Sequence, residues 1–214
     1  MADKDRRDLE RLVNLTDAAL AITLTLMMLE IRLPAGAGEM NDSALVTALI
    51  RLLPQLYAYA LSFVVVGLFW IGHRQKFRHL VRADGVVVWL DIAFLLVLGL
   101  VPFVTELLAD NGGRIATIAY AAVMAAISVV LLILWAYAVP SGLIDPATST
   151  ESRRRGYWVS AYSIAIFGLS IVVAFFNADA GKYFWLLLLL SRPLSRPFVR
   201  DDRPAKAEGL EDQR

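Results

Sequence analysis

Residues 12–32 read LVNLTDAALAITLTLMMLEIR, an almost unbroken run of apolar side chains. An α-helix rises about 1.5 Å per residue and the hydrocarbon layer of a membrane is about 30 Å thick, so about 20 such residues cross it. The run therefore predicts a membrane-spanning helix. It contains two acidic residues, Asp17 and Glu30, and a charged group inside a membrane needs a partner, a watery cavity or a function.

The remainder of the chain is also strongly apolar. Hydrophobic residues make up 58% of its 214 residues and its mean hydropathy is +0.59, whereas soluble domains contain about 45–50% apolar residues. We predict an all-α integral membrane protein with six transmembrane helices. Pro102 should bend the third helix, and Pro193 interrupts the sixth. The six helices are expected near residues 12-32, 49-71, 86-108, 115-139, 157-177 and 181-198.

Positive charge is concentrated on one side of the predicted membrane. Seventeen of the 21 Lys and Arg residues lie in four segments, 1-11, 72-85, 140-156 and 191-214. Because loops rich in Lys and Arg stay in the cytoplasm, we predict a multi-pass protein of the cell membrane with both termini cytoplasmic. Both termini lie on one side only when the number of spans is even, which supports the sixth helix.

The sequence also excludes several classes of function. One transmembrane domain is expected over residues 1-199, followed by a charged cytoplasmic tail over 200-214 that is predicted to be disordered. The chain has no Cys, only two His and no Gly-rich phosphate motif, so the usual nucleophiles, metal clusters and phosphate loops are missing. We therefore predict no enzyme activity, no cofactor, no bound metal and no nucleic-acid partner.

The first predicted helix carries an apolar stripe. At 100° per residue, Ile22, Leu26 and Leu29 share one face with Thr25, and Asp17 points nearly opposite Leu26. Two interpretations of the stripe are open. It can be ordinary helix packing, which composition alone favours because apolar stripes occur in any bundle, or it can line a pore that apolar rings close by excluding water.

Polar residues also recur at one depth in the first three predicted helices. Asp17, His73 and Asp91 all lie near the predicted cytoplasmic ends, which suggests a polar network, with lipid headgroups or water as the alternative partners. A hydrogen bond between Asp17 and His73 is geometrically possible. Glu30 is predicted near the outer mouth, where it would concentrate cations or pair with Arg32 or with a neighbouring helix.

A pattern of residues in the first half of the chain matches a known family. The matching positions are Arg11, Leu15-Thr16-Asp17, Ala21-Ile22, Thr25, Ser62-Phe63, Trp70, His73 and Pro102-Phe103. On these residues, over about residues 11-105, the chain resembles the lysosomal and bacterial potassium channels of the transmembrane protein 175 family. It departs from the family pattern at Leu15, which replaces Phe, at Thr16, which replaces Ser, and at Asp91, which replaces Asn.

The resemblance implies a potassium-permeable cation channel. Bacterial members are homotetramers of six-helix subunits whose first helices surround a central pore, so the expected partners are further copies of this chain, membrane lipids, and K+ or other monovalent cations as permeant ions. The carbonyl filter of other potassium channels needs a Thr-Val-Gly-Tyr-Gly loop, which this sequence lacks. The resemblance therefore implies only a modest preference for K+ over Na+.

The resemblance also implies roles for single residues. Ile22, Leu26 and Leu29 would form stacked rings that gate the pore, and Thr25 would be the candidate for selectivity. A polar network would fasten the first helix to its neighbours, and its expected members are Arg11, Thr16, Asp17, Trp70, His73 and Asp91. Two alternative functions stay open. One is a proton-coupled membrane transporter that uses Asp17, His73 and Asp91, and the other is a role in assembling other membrane proteins.

Overall fold

A computed structural model describes residues 2–33 and 41–190 of the chain. These residues form eight α-helices followed by one 3₁₀ helix. In chain order they are α1 Ala2–Leu29, α2 Asp42–Arg51, α3 Leu53–Phe77, α4 Gly85–Leu98, α5 Val101–Asp110, α6 Arg114–Ala138, α7 Thr150–Ala174, α8 Ala178–Tyr183 and the 3₁₀ helix Phe184–Leu190.

Five segments of the described residues are long and apolar enough to cross a membrane. They are Asp5–Leu29, Leu53–Phe77, Gly85–Asp110, Arg114–Ala138 and Thr150–Ala174. The all-α membrane fold is therefore confirmed, but the sixth span is not. In its place the short helix α8 runs into the 3₁₀ helix, while residues 191–198 of the predicted sixth span and the predicted tail 200-214 lie outside the described residues.

Two helix junctions lie at prolines. Pro54 and Pro102 occupy the first turns of α3 and α5, where a missing N–H group and a fixed φ are tolerated. Because α4 ends at Leu98 and α5 begins at Val101, the third span is divided where Pro102 is expected to bend it. The second span begins at Leu53, because the residues before it belong to the separate helix α2.

The core of the bundle lies around α6, which packs against α4, α5 and α7. The large side chains buried there are Phe94, Tyr120, Met124, Ile127, Phe167 and Trp185. Towards the C-terminal end of α6, the Trp135 indole lies against Gly156 of α7, and any side chain at Gly156 would overlap the ring. The glycine therefore allows α6 and α7 to approach closely at this point.

The loops 78–84 and 139–149 join at one end of the bundle, which we call the basic end because it carries two of the Arg- and Lys-rich segments. The Val81 N–H donates to the Leu143 carbonyl at 2.9 Å, and the Asp145 N–H donates to the His79 carbonyl at 2.9 Å. Partial burial, together with the neighbouring Arg78, lowers the pKa of His79. These backbone bonds hold the two loops as one unit.

Asp84 anchors the same end by capping α4. Its side chain accepts from the Val87 N–H at 3.0 Å and from the Tyr137 hydroxyl at 2.6 Å. Burial by itself would raise the pKa of Asp84, but the Tyr137 hydroxyl and the Val87 amide outweigh burial and hold that pKa below its usual value. Asp84 therefore ties the start of α4 to the end of α6.

Candidate functional site: the first helix and its polar support

One face of α1 is buried against α3, α4 and α5. The buried positions recur every three or four residues, as one face of an α-helix does. They are Leu9, Leu12, Thr16, Leu20, Thr23 and Met27. This face fixes how α1 is rotated in the bundle, and so it decides which side chains of α1 point away from the other helices.

The predicted stripe points away from the other helices of the chain. The exposed fractions of Ile22, Leu26 and Leu29 are 58%, 44% and 65%, and Thr25 is also exposed. The Thr25 hydroxyl lies 2.8 Å from the Ile22 carbonyl of its own helix and 3.1 Å from that of Ala21. Packing against the described helices of the chain therefore does not account for the stripe, and its role as a pore lining stays a prediction.

Three helices meet at the side chain of Asp91, closer to the N-terminus of α1 than the stripe. The Thr16 hydroxyl of α1 donates to Asp91 Oδ2 at 2.7 Å, and His73 Nε2 of α3 lies 2.7 Å from Asp91 Oδ1. Thr16, His73 and Asp91 are all fully buried. Each carboxylate oxygen thus has a short hydrogen bond to a different helix, which is how a buried carboxylate is stabilised.

The His73 ring is held on both of its faces by aromatic side chains. The Phe77 ring stacks on it with a centroid distance of 4.1 Å, and the Phe94 ring does so at 4.9 Å. The two planes lie within 24° of the imidazole plane. His73 therefore cannot rotate away from Asp91 without displacing a packed ring.

Asp17 does not join this cluster. The Trp70 indole N–H donates to Asp17 Oδ1 at 2.8 Å, and the Arg74 guanidinium lies 5.5 Å from the centroid of the Trp70 ring. The hydrogen bond between Asp17 and His73 that the sequence allowed is therefore not formed. Thr16 and Asp17 are consecutive and lie about 100° apart on α1, so only Thr16 reaches the buried carboxylate.

Two other predicted site residues lie apart from the network. Arg11 is exposed and forms no hydrogen bond or salt bridge with the residues that the structure describes. Its predicted place in the network is therefore not seen among the described residues. Glu30 lies 4.0 Å from the mostly exposed guanidinium of Arg32, which makes a weak surface pair.

A second polar contact, which was not predicted from the sequence, joins α3 and α5. The Thr105 hydroxyl of α5 lies 2.9 Å from Ser62 Oγ of α3 and 2.8 Å from the Val101 carbonyl. The Met27 sulfur of α1 lies 3.7 Å from the same hydroxyl. The sequence did carry a signal for this contact, because each of the two apolar spans contains a hydroxyl side chain and buried hydroxyls in membranes pair between helices.

A bundle of apolar helices with a polar cluster inside it and an apolar stripe outside defines a polytopic α-helical membrane protein. A sequence profile of the family described as endosomal/lysosomal potassium channel TMEM175 matches residues 11–102. A potassium channel of Streptomyces collinus is 30% identical over 169 residues, which cover 76% of this chain and 81% of that protein. The chain belongs to the TMEM175 family, which confirms the resemblance seen in the sequence.

Two further comparisons extend beyond the matched half of the chain. A potassium channel of a Chryseobacterium strain is 27% identical over 187 residues, which cover 84% of this chain and 90% of that protein. The crystal structure of a lysosomal potassium-selective channel TMEM175 homolog from Chamaesiphon minutus superposes with a TM-score of 0.77 and 23% identity. It covers 88% of this chain and 98% of that one. The fold is therefore shared along nearly the whole of both chains.

Proposed function

We propose that this protein is a potassium-permeable cation channel whose pore is lined by α1. One observation carries the proposal. The stripe of Ile22, Leu26 and Leu29 is exposed although the opposite face of α1 is buried in the subunit. The relatives from Streptomyces collinus and Chryseobacterium, which are named potassium channels, support the same assignment.

The stripe acts as a pore lining only when several copies of α1 come together. We propose a homotetramer in the cell membrane with both termini cytoplasmic, in agreement with the concentration of Lys and Arg at the basic end. Four copies of each stripe residue then form a ring around one axis. A monomer presents a single stripe and encloses no pore.

Apolar rings gate such a pore by excluding water. A narrow passage lined by Ile22, Leu26 and Leu29 offers no hydrogen bonds to water, so it conducts only when the rings move apart enough to be wetted. The rings would also select weakly between cations, because they contribute only diameter and the cost of removing water. We expect a modest preference for K+ over Na+.

Thr25 is the polar contact in this lining. Its hydroxyl hydrogen is directed to a backbone carbonyl of the same helix, with the Ile22 oxygen at 2.8 Å. The hydroxyl oxygen therefore keeps its lone pairs for a passing cation. We propose that four such oxygens replace part of the hydration shell between the apolar rings.

The test is a flux measurement in proteoliposomes that carry a K+ gradient and no energy source. Wild-type protein should pass K+, Ile22→Trp should reduce the flux by narrowing the ring, and Ile22→Asn should increase it by easing wetting. Leu96→Trp is the matched control, because Leu96 is an exposed apolar residue of α4 outside the stripe. If all three variants conduct like the wild type, α1 does not line the pore.

The same preparation separates a channel from a proton-coupled transporter. A transporter would take up cations saturably and only when a pH gradient drives it. The hydrogen bonds do not favour that mechanism, because Asp17 pairs with Trp70 whereas His73 and Asp91 pair with each other. Passive flux without a pH gradient supports the channel, and uptake that requires a pH gradient contradicts it.

A further inference from the structure

The basic end of the bundle contains a lysine that is almost completely buried. Lys76, near the end of α3, is only 4% exposed. Its Nζ donates to the Gly156 carbonyl at 2.6 Å and lies 5.1 Å from the centroid of the Trp135 ring. Both of these partners are electrically neutral. A buried ammonium is costly without a counter-charge, and these two contacts provide none.

Lys76 lines a cavity between α3 and α7, and a second cation lines the same cavity. Arg155 of α7 borders it together with Lys76 and Gln75, and the Arg155 Nε is buried without a hydrogen-bond partner. No Asp or Glu is among the lining residues, and no salt bridge of Lys76 or Arg155 occurs within residues 2–33 and 41–190. The cavity thus presents two cations and an unused N–H donor to whatever occupies it.

From this charged end the cavity, of about 60 Å³, continues along α3 between apolar side chains and three hydroxyl groups, those of Ser128, Ser160 and Ser163. Its walls pass from Gln75 and Lys76 to Leu68 and Val65, a distance of about 16 Å along the helix, which is about half of the hydrocarbon layer. Leu68 and Val65 also line a second, nearly apolar groove of about 230 Å³ that ends at Trp185. A small charged cavity next to a larger apolar groove matches the headgroup and one acyl chain of a phospholipid.

We propose that this groove between α3 and α7 binds an anionic phospholipid. The headgroup phosphate accepts from Arg155 Nε and neutralises Lys76, and one acyl chain lies along Leu68 and Val65. Basic pockets between membrane helices at the cytoplasmic surface recognise anionic headgroups in this way. The segment 191–200 is a poor occupant of the charged end, because its sequence contains three Arg residues and no acidic residue.

The test uses the full-length protein and does not depend on ion flux. Purified protein in nanodiscs of phosphatidylcholine with phosphatidylglycerol is released for native mass spectrometry, and the lipid retained per subunit is counted. The affinity of Arg155→Gln for phosphatidylglycerol should be lower than that of the wild type by about fivefold or more, because each basic residue near an anionic headgroup contributes that factor. Arg154→Gln, which removes the same charge from the exposed neighbouring position, should retain it like the wild type.

A thermal melt provides the second readout. Phosphatidylglycerol should raise the melting temperature of the wild type and of Arg154→Gln over that in phosphatidylcholine alone, and should do so much less for Arg155→Gln. Equal retention by the two variants, or equal retention of phosphatidylcholine, would overturn the proposal. Stabilisation by inorganic phosphate as large as that by phosphatidylglycerol would show an anion site instead of a lipid site. No effect of either lipid would also overturn the proposal, with another subunit or residues 191–214 as the remaining candidates to fill the groove.

Discussion

Removing the Thr16 hydroxyl tests whether the buried cluster holds α1 in place. Thr16→Val keeps the shape of the side chain but deletes the donor to Asp91 Oδ2, a bond of 2.7 Å in a fully buried site. Hydrogen bonds to charged groups contribute about 1.5–3 kcal/mol, and a buried acceptor that loses its donor is not rescued by water. We expect the free energy of unfolding to fall by that amount.

The measurement is equilibrium unfolding in mixed micelles of a mild detergent and SDS. Thr47→Val is the matched control, because Thr47 is an exposed helical threonine of α2 whose hydroxyl bonds only to the Ser43 carbonyl of its own helix. Its effect should stay within about 0.5 kcal/mol. A loss for Thr16→Val no larger than that of the control would refute the bond as a support for α1.

A double-mutant cycle with Asp91→Asn identifies the partner. If Thr16 acts through Asp91, the double variant should lose less stability than the two single variants together, since the second change removes a bond already broken. Strictly additive losses would mean that Thr16 acts through packing alone. Potassium flux of the same variants then reports whether loosening α1 also changes conduction.

Two predictions concern the rest of the bundle. Gly156→Ala should lower the free energy of unfolding by about 1–3 kcal/mol because the added methyl group would overlap the Trp135 ring. Gly168 lies on the same helix with open space around it, so Gly168→Ala should be neutral or stabilising in the same unfolding measurement. Because the pKa of Asp84 is lowered in the fold, its ionised side chain stabilises the fold at any pH above the usual carboxyl pKa. This contribution is lost as the pH falls through the lowered pKa. Tyr137→Phe removes the hydroxyl that donates to Asp84. When unfolding is measured from neutral to acidic pH, the variant should therefore lose less stability in acid than the wild type does.

The sequence alone was sufficient for features that depend on local composition. Each of the five spans is an apolar run of sufficient length, and hydropathy is a sum over neighbours in the chain. Pro102 marked the division of the third span because proline lacks the N–H that an unbroken helix needs. The shared face of Ile22, Leu26 and Leu29 followed from the helical period.

The sequence could not assign the partners of its polar residues. It placed Asp17, His73 and Asp91 at one depth, but partner choice depends on how each helix is rotated and how closely the helices approach. A rotation of about 100° separates Thr16, which reaches Asp91, from Asp17, which reaches Trp70. The sixth predicted span is not confirmed for a related reason, since an apolar run followed by a polar break does not specify whether the helix continues.

The membrane class, the family and the side of α1 that carries the stripe follow from the order of the residues. That this stripe points away from the other helices follows only from how they pack, because the burial of a side chain depends on which other surface covers it. The same holds for Lys76, which reads as an ordinary basic residue at a helix end. Its burial against Trp135 and Gly156 follows from the packing of α3, α6 and α7.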